Sequence, residues 1–315
     1  MAPSIQPSTI LPLVNVATVA STPFPRSTAV AATPPVVSIA AILKTSRAVP
    51  VAPEVLPKLQ AKLLDVDTDV ADLAALIKLD AGLASNILRV SNSAYYSRGS
   101  AVATIEDAVS LIGYQETLRL VARCSYGTVM KGELACYSMR GEQLWEGAVL
   151  TAIAMEHLCR LTSLEASEGY VTGLLHSLGM VLINDHLVRS GKGSLRAPKG
   201  PTSDVIQWEV NTIGFHHGEL GAAMMRQWNF ATRMVLAVER QFDMTPRQED
   251  GILSAVLPLA VTIADFLYEH PDDDQTPPPV FDTVRADHAR LDRRHLVDAI
   301  ADVRSEWSQA RESLH

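Results

Sequence analysis

The sequence predicts an all-α fold, a multi-helical bundle in which an N-terminal helical part precedes a larger second part. Three observations carry this. Apolar residues make up 47% of the 315 positions, enough for a sizeable core, yet aromatics are only 5%. Ala, Leu and Val dominate, whereas the strands of a half-buried sheet draw on aromatic and β-branched residues. Apolar positions recur three and four residues apart along most of the chain, and no stretch alternates convincingly as strands do.

The elements follow in order. Residues 1–48 are rich in Ala, Pro, Ser, Thr and Val, with almost no charge. Such a segment lacks amphipathic periodicity, so it reads as a flexible tail without regular helix; a short apolar docking motif is the alternative. Its opening is apolar, but the first positive charge is Arg26 and prolines interrupt it. Neither a signal peptide nor a membrane span is expected.

From Pro50 the pattern changes. Val55, Leu59, Leu63 and Leu64 share one helical stripe. Thr68 or Asp69 can cap a helix that turns Leu73, Leu76 and Ile77 inward, and Asp80 can cap the next, with Leu83, Ile87 and Leu88 inward. That helix stops at Ser91-Asn92-Ser93, whose side chains compete for backbone hydrogen bonds. Another starts near Thr104 and closes at Gly113. "GEQLWEGAVLTAIAMEHLCRLT" is long and apolar on one side. "EGYVTGLLHSLGMVLINDHL" reads as one helix with its histidine inside. "SDVIQWEVNTIGFHHGELGAAMMRQWNF" holds two helices that meet near Gly214, and "DGILSAVLPLAVTIADFLYEH" is one more, with Pro258 within it.

These elements divide the chain into the tail 1–48, a helical domain 49–270 with parts 49–140 and 141–270, a Pro/Asp-rich loop 271–286, and a terminal helix 287–315. On that last helix Leu296, Ile300, Val303, Trp307, Ala310 and Leu314 stand 4, 3, 4, 3 and 4 apart. This heptad stripe either packs on its own domain or mediates self-association as a homodimer.

Charge and cysteines narrow the function. A net charge of −8 argues against general binding to nucleic acid or anionic membrane. The local exception is Arg189 to Lys199, with Arg189, Lys192, Arg196 and Lys199; it reads as a solvated loop, with an anion contact as the sharper alternative. Cys124, Cys136 and Cys159 form no C-x-x-C pair, which suits a reducing, cytoplasmic setting.

The chemistry concentrates in "GLLHSLGMVLIND", Gly173 to Asp185. His176 lies on an apolar helix, His217 lies 41 residues on beside His216, and Asp265 interrupts a buried-looking helix. Imidazole nitrogens and a carboxylate gathered from several helices could hold a metal that activates water. A hydrogen-bonded core role is the simpler reading of each. A nucleophile elbow is excluded, because Leu175 stands where the strained turn needs Gly and no strand precedes it.

Five ordered blocks resemble a known family. "PEVLPKLQAKLLDVDTDVADLAALIKLDAGLASNILRVSNSAYYS" and "ATIEDAVSLIGYQETLRLV" look like the opening of the HDOD domain, the non-catalytic branch of the HD-type phosphohydrolases found in bacterial signalling. "LWEGAVLTA", "GLLHSLGMVLI" and "FHHGELGAAMMRQWNF" match later blocks, so the resemblance covers roughly residues 48–245. It implies an HD-like bundle and lets each metal position be checked. Where catalytic relatives carry histidine or aspartate, this chain has Gly147, Ser177 and approximately Gln241-Phe242, while His176, His217 and Asp265 remain. The resemblance thus implies a degenerate site with no metal, no cofactor and no catalysis. His176 and Asp265 are expected to hydrogen-bond each other, Ser177 to bond back to a carbonyl in the preceding turn, and His217 to cap or bridge the two helices at Gly214.

The expected function is a signalling module that binds another protein. The alternative is a nucleotide or cyclic-dinucleotide sensor using the former pocket, with Arg119, Arg123 or Lys192 on phosphate. Weak metal-dependent phosphohydrolase activity is the third.

Overall fold

The computed structural model describes residues 37–312, apart from 47–54, 64, 66–67, 94–95, 97–101, 130–131, 244, 246 and 274. The Leu64 and Tyr95 positions and most of the tail lie outside the described residues.

The first part is built from α2 (Val55–Leu63), α3 (Val70–Ile77), α4 (Ala81–Ser91), α5 (Ile105–Ile112) and α6 (Tyr114–Val129). Side-chain caps start three of them: Asp69 accepts from the Asp72 amide at 2.8 Å, Asp80 from Leu83 at 3.0 Å and Thr104 from Asp107 at 3.1 Å. Each satisfies an amide that the helix leaves orphaned, worth about 1 kcal/mol. Gly113, at φ +83°, turns the chain from α5 into α6. Asn92 ends α4 and holds the next loop: its Oδ1 accepts from the Val102 amide at 2.7 Å and its Nδ2 donates to the Val102 carbonyl at 2.8 Å.

A two-residue antiparallel pair, β1 (Glu133–Leu134) with β2 (Met139–Arg140), is the one sheet among the described residues. It brackets a 3-10 turn, Ala135–Tyr137.

The second part contains α7 (Gly141–Leu161), α8 (Ala166–Leu175), α9 (Leu178–Arg189), α10 (Thr202–Ile213), α11 (His217–Gln227), α12 (Thr232–Glu239) and α13 (Ile252–Glu269). Helix α7 is the axis, packed between α8 and α13. Gly173 lets α8 approach it: a Cβ there would come within 2.8 Å of the Ala152 Cα and the Thr151 carbonyl oxygen. Among the described residues two stretches could cross a membrane by length and composition, Ala166–Arg189 and Ile252–Glu269. Their most apolar windows are 78% and 83% buried inside the protein, as core helices are.

Three expectations need correction. The segment read as a single helix around His176 is two, α8 and α9, broken at His176-Ser177. The tail is not wholly irregular: Ile39–Thr45 forms α1, started by Ser38, whose hydroxyl accepts from the Ala41 amide at 3.2 Å. It is ordered because it docks on α9 and α11. Third, the terminal segment is not one helix after a loop to 286: it forms α14 (Thr283–Ala289) and α15 (Arg293–Glu312), and of the two readings of the heptad stripe the structure shows packing on its own domain, with Leu314 outside the described residues. Leu296, Ile300, Val303 and Trp307 are all buried, with α15 lying on α7. Those four side chains are therefore spent on the core and are not presented to a second copy.

Arg119 on α6 ties the parts together. It pairs with Glu116 at 3.1 Å, with buried Glu156 of α7, and with Glu306 of α15 at 3.3 Å. Its guanidinium also sits 5.7 Å from the Tyr170 ring centroid on α8.

Candidate functional site

The break between α8 and α9, the start of α11, the end of α12 and the middle of α13 converge on one cavity. Its lining includes Gly147, His176, Ser177, His217, Gln241, Phe242 and Asp265. The four predicted remnant residues thus come together, His176 and Ser177 from the α8–α9 break, His217 from α11 and Asp265 from α13. The anion-contact candidates do not: Arg119, Arg123 and Lys192 do not line it. Arg119 already faces three carboxylates, and Lys192 lies exposed in the loop after α9.

All the polar groups of this centre but Asp265 have a specific anchor. His176 Nδ1–H donates to the Gly173 carbonyl at 2.6 Å, one turn back, which leaves the lone pair on Nε2. Ser177 shares a hydrogen bond of 3.3 Å with the Tyr126 hydroxyl of α6, not with a carbonyl of the preceding turn. The expected pairing of His176 with Asp265 is likewise replaced: His176 bonds Gly173, and Asp265 Oδ2 is buried with no hydrogen-bond partner among the described residues. Gln241 Nε2 donates to the His176 carbonyl at 3.1 Å and to Val238 at 3.0 Å. Arg285 of α14 supports the same corner from outside. Its buried guanidinium donates to the carbonyls of Gln241, Asp243 and Ser254.

His217 bridges helices at Gly214, as expected, and its partner is Glu209 of α10. The backbone N–H of His217 donates to Glu209 Oε2 at 2.8 Å, and Nδ1–H reaches the same carboxylate at 2.9 Å. Tyr137 OH completes the set at 2.6 Å. Sequence reading missed Glu209, which has no solvent exposure. The signal was present: Ile206, Glu209 and Ile213 fall on one helical face, so a glutamate stands in phase with an apolar stripe. A buried carboxylate at such a position needs several donors, and here it has them.

The chemistry of the donor set does not fit a metal. Among the described residues no three His, Cys, Asp or Glu side chains are grouped to hold one. Gly147, Ser177, Gln241 and Phe242 supply no anionic or imidazole ligand. Phe242 packs edge-on against both His217 and His216, with ring centroids 4.9 and 5.3 Å apart. The remaining cavity is about 20 Å³, room for roughly one water. Pockets that bind nucleotide-sized molecules run to roughly 300–1,000 Å³.

Burial sets the protonation of the centre. His176 is pushed down to about 4 from 6.5 by desolvation. The unfolded chain therefore takes up a proton below about pH 6.5 that the folded chain refuses until about 4. Stability falls as pH drops through that window, by up to roughly 3 kcal/mol. Asp265 acts with the opposite sign. Burial, and then Glu269, raise its carboxyl well above 3.8. The folded protein keeps a proton that the unfolded chain sheds, so this contribution is present at acid pH and lost as pH rises above about 3.8. Asp265→Asn is accordingly expected to stabilise the protein by about 1–3 kcal/mol at pH 7.5. The gain should shrink towards pH 4.5. Urea unfolding of both proteins at pH 4.5, 6 and 7.5 measures it; a variant less stable than wild type at pH 7.5 would show Asp265 to be a paired, stabilising group.

Fold and site together define an all-α domain with a buried imidazole and carboxyl centre where α7, the α8–α9 break, α11, the end of α12 and α13 meet. The chain belongs to the HDOD domain family, whose model matches residues 49–244. A curated relative, an uncharacterised protein of Treponema pallidum (strain Nichols), is 25% identical over 223 residues. That match takes in 66% of this chain and 42% of the relative, so the chain spans less than half of that protein's length. Among solved structures, an HDOD domain protein of unknown function from Geobacter sulfurreducens aligns with a TM-score of 0.59 at 20% identity, covering 85% of this chain and 95% of that one. A candidate signal transduction protein of Marinobacter aquaeolei VT8 aligns at 0.60 and 18% identity, covering 82% and 57%. A candidate phosphohydrolase of Shewanella amazonensis SB2B aligns at 0.58 and 22%, covering 86% and 97%. These likenesses establish the HD-like fold.

Proposed function

We propose that this chain is a non-catalytic signalling module of the bacterial cytoplasm that works by binding another protein. The observation that carries the reading is the state of the central cavity. Metal-assisted hydrolysis needs several ligands, an open coordination position and space for a phosphate beside it. Here Gly147, Ser177, Gln241 and Phe242 stand at the ligand positions, and the space left is about 20 Å³. Gln241 and His176 are engaged by backbone groups, as core residues are. Membership of the HDOD family, and the signalling role suggested for the Marinobacter protein, support the regulatory half of the reading.

The test uses the purified full-length chain. Turnover of bis(p-nitrophenyl) phosphate and p-nitrophenyl phosphate is measured with Mg²⁺, Mn²⁺, Fe²⁺ and Ni²⁺, alongside elemental analysis. We expect no metal-dependent turnover and less than about 0.1 metal per chain, since a structured site retains its metal on purification. Turnover that disappears in His176→Ala would overturn the reading. Affinity capture from the native bacterium is expected to return a reproducible partner; repeated captures with nothing above background would count against the interaction role.

A further inference from the structure

Helix α1 lies outside the residues matched to the HDOD domain, whereas α9 and α11, on which it rests, lie inside them. The chain thus covers a face of its own family domain with an appended segment. The segment is only seven residues long. A helix of that length has no stability of its own in water, so its order comes from docking. Ile42 supplies the anchor, 1% exposed, and Val37, Ile39 and Leu43 pack partly buried around it. At the C-terminal end the contacts are polar. Ser46 Oγ donates to Asp185 Oδ2 at 3.1 Å, and Arg189, itself 3.7 Å from Asp185, donates to the Thr45 carbonyl. The seat is imperfect. A cavity of about 200 Å³ lies between α1 and α9, lined by Ile42, Thr45, Ser46, Asp185, His186, Arg189 and Ser190. One buried isoleucine and a few polar contacts over such a gap make a weak attachment.

We propose that α1 is a displaceable plug held in cis. It occupies a helix-binding groove on α9 and α11, and its release frees that groove for a short helix of the same chemistry: a central isoleucine followed by hydroxyl residues at the C-terminal end. The basic residue Arg189, read from sequence as a solvated or anion-binding group, is on this account the hook for the helix's last carbonyls. A cation there also suits the negative end of the helix dipole. The face involved is separate from the central cavity, so the inference stands whether or not that cavity is catalytically silent.

The arithmetic sets the expected effect. A segment tethered beside its own groove has an effective concentration on the order of millimolar. A free peptide with a Kd of about 100 μM must then compete against it and binds roughly tenfold more weakly than to an open groove. The probe is a fluorescein-labelled peptide of residues 37–46. The proteins are the full-length chain and its Ile42→Asp variant, in which a carboxylate replaces the anchor. We expect the peptide to bind the variant about tenfold more tightly than wild type, and a peptide carrying the same Ile42→Asp change to bind neither. Hydrogen exchange should rise about tenfold along α9 and α11 in the variant and stay unchanged in α13. Should Ile42→Asp lose its helical signal by circular dichroism, Ile42→Ala reads the same effects more mildly, since it trims the anchor of the plug without adding a charge and leaves the groove on α9 and α11 unchanged. Equal peptide affinity for wild type and variant, or unchanged exchange in α9 and α11, would overturn the proposal.

Discussion

Gly179→Ala is expected to be among the most damaging single substitutions in this protein. Gly179 is the second residue of α9, where that helix passes the first turn of α11. A Cβ built there would fall 2.7 Å from the His217 carbonyl carbon and 2.9 Å from its Cα, and closer still to the carbonyl oxygen. Both partners are backbone, so no side chain can swing away. The two helices would have to separate, carrying Ser177 and His217 apart and breaking the packing at the centre. Overpacking in a core costs about 1–3 kcal/mol; a collision between two main chains belongs at or above the top of that range, at roughly 4 kcal/mol. For a chain of this size that corresponds to a Tm fall on the order of 10 °C. Thermal melts of wild type, Gly179→Ala and Gly127→Ala measure it. The last is the control, because its added methyl would meet only the Trp145 side chain, at 3.4 Å. A Gly179→Ala protein that melts with wild type would mean the helices are further apart than described here.

Ser177→Asp tests the centre itself. The change writes back the carboxylate that a catalytic relative would carry after the histidine. Ser177 is buried, and among the described residues its hydroxyl bonds only the Tyr126 hydroxyl. One phenol cannot satisfy a carboxylate, and Asp265 lines the same small cavity. On the proposed non-catalytic reading the new group meets no metal, because Gly147, Gln241 and Phe242 add no imidazole or carboxylate to His176, His217 and Asp265. We expect no phosphodiesterase activity with any divalent metal, and a loss of about 3 kcal/mol at pH 8. Burial raises the pKa of a carboxyl, so the folded variant should hold a proton that the unfolded chain releases above about pH 3.9. The deficit must therefore be larger at pH 8 than at pH 5. Denaturant unfolding at the two pH values gives the sign. Metal-dependent turnover in this single variant would show the site to be one ligand short of working, not dismantled.

Much of the fold was legible before any coordinates. The caps at Thr68 or Asp69 and at Asp80, the helix start near Thr104, the turns at Gly113 and Gly214, and the apolar stripes they bracket are local signals, and a helix is decided largely by local hydrogen bonds and the face it buries. The four remnant positions were legible too, because polar residues on apolar helices stand out. Their partners were not. His176 could be seen to need a hydrogen bond, but the choice of Gly173 over Asp265 depends on how the chain turns at the α8–α9 break. Glu209 was readable as an oddity on α10; only α11 packed against it makes it the clamp on His217.

The same limit explains the larger corrections. A heptad stripe shows that one face of α15 must be covered, and it is identical for a helix that covers itself with α7 and one that pairs with another copy. The composition of residues 37–46 is that of a loop, and α1 exists because α9 and α11 offer it a seat. The sequence by itself determined the helical class and the order of the helices, since these rest on local propensity and on the face each helix buries. Tertiary structure alone decided which surfaces meet, how far the central cavity closes and which charges are satisfied. Those quantities come from contacts between residues tens to hundreds of positions apart, and periodicity along the chain carries no record of them.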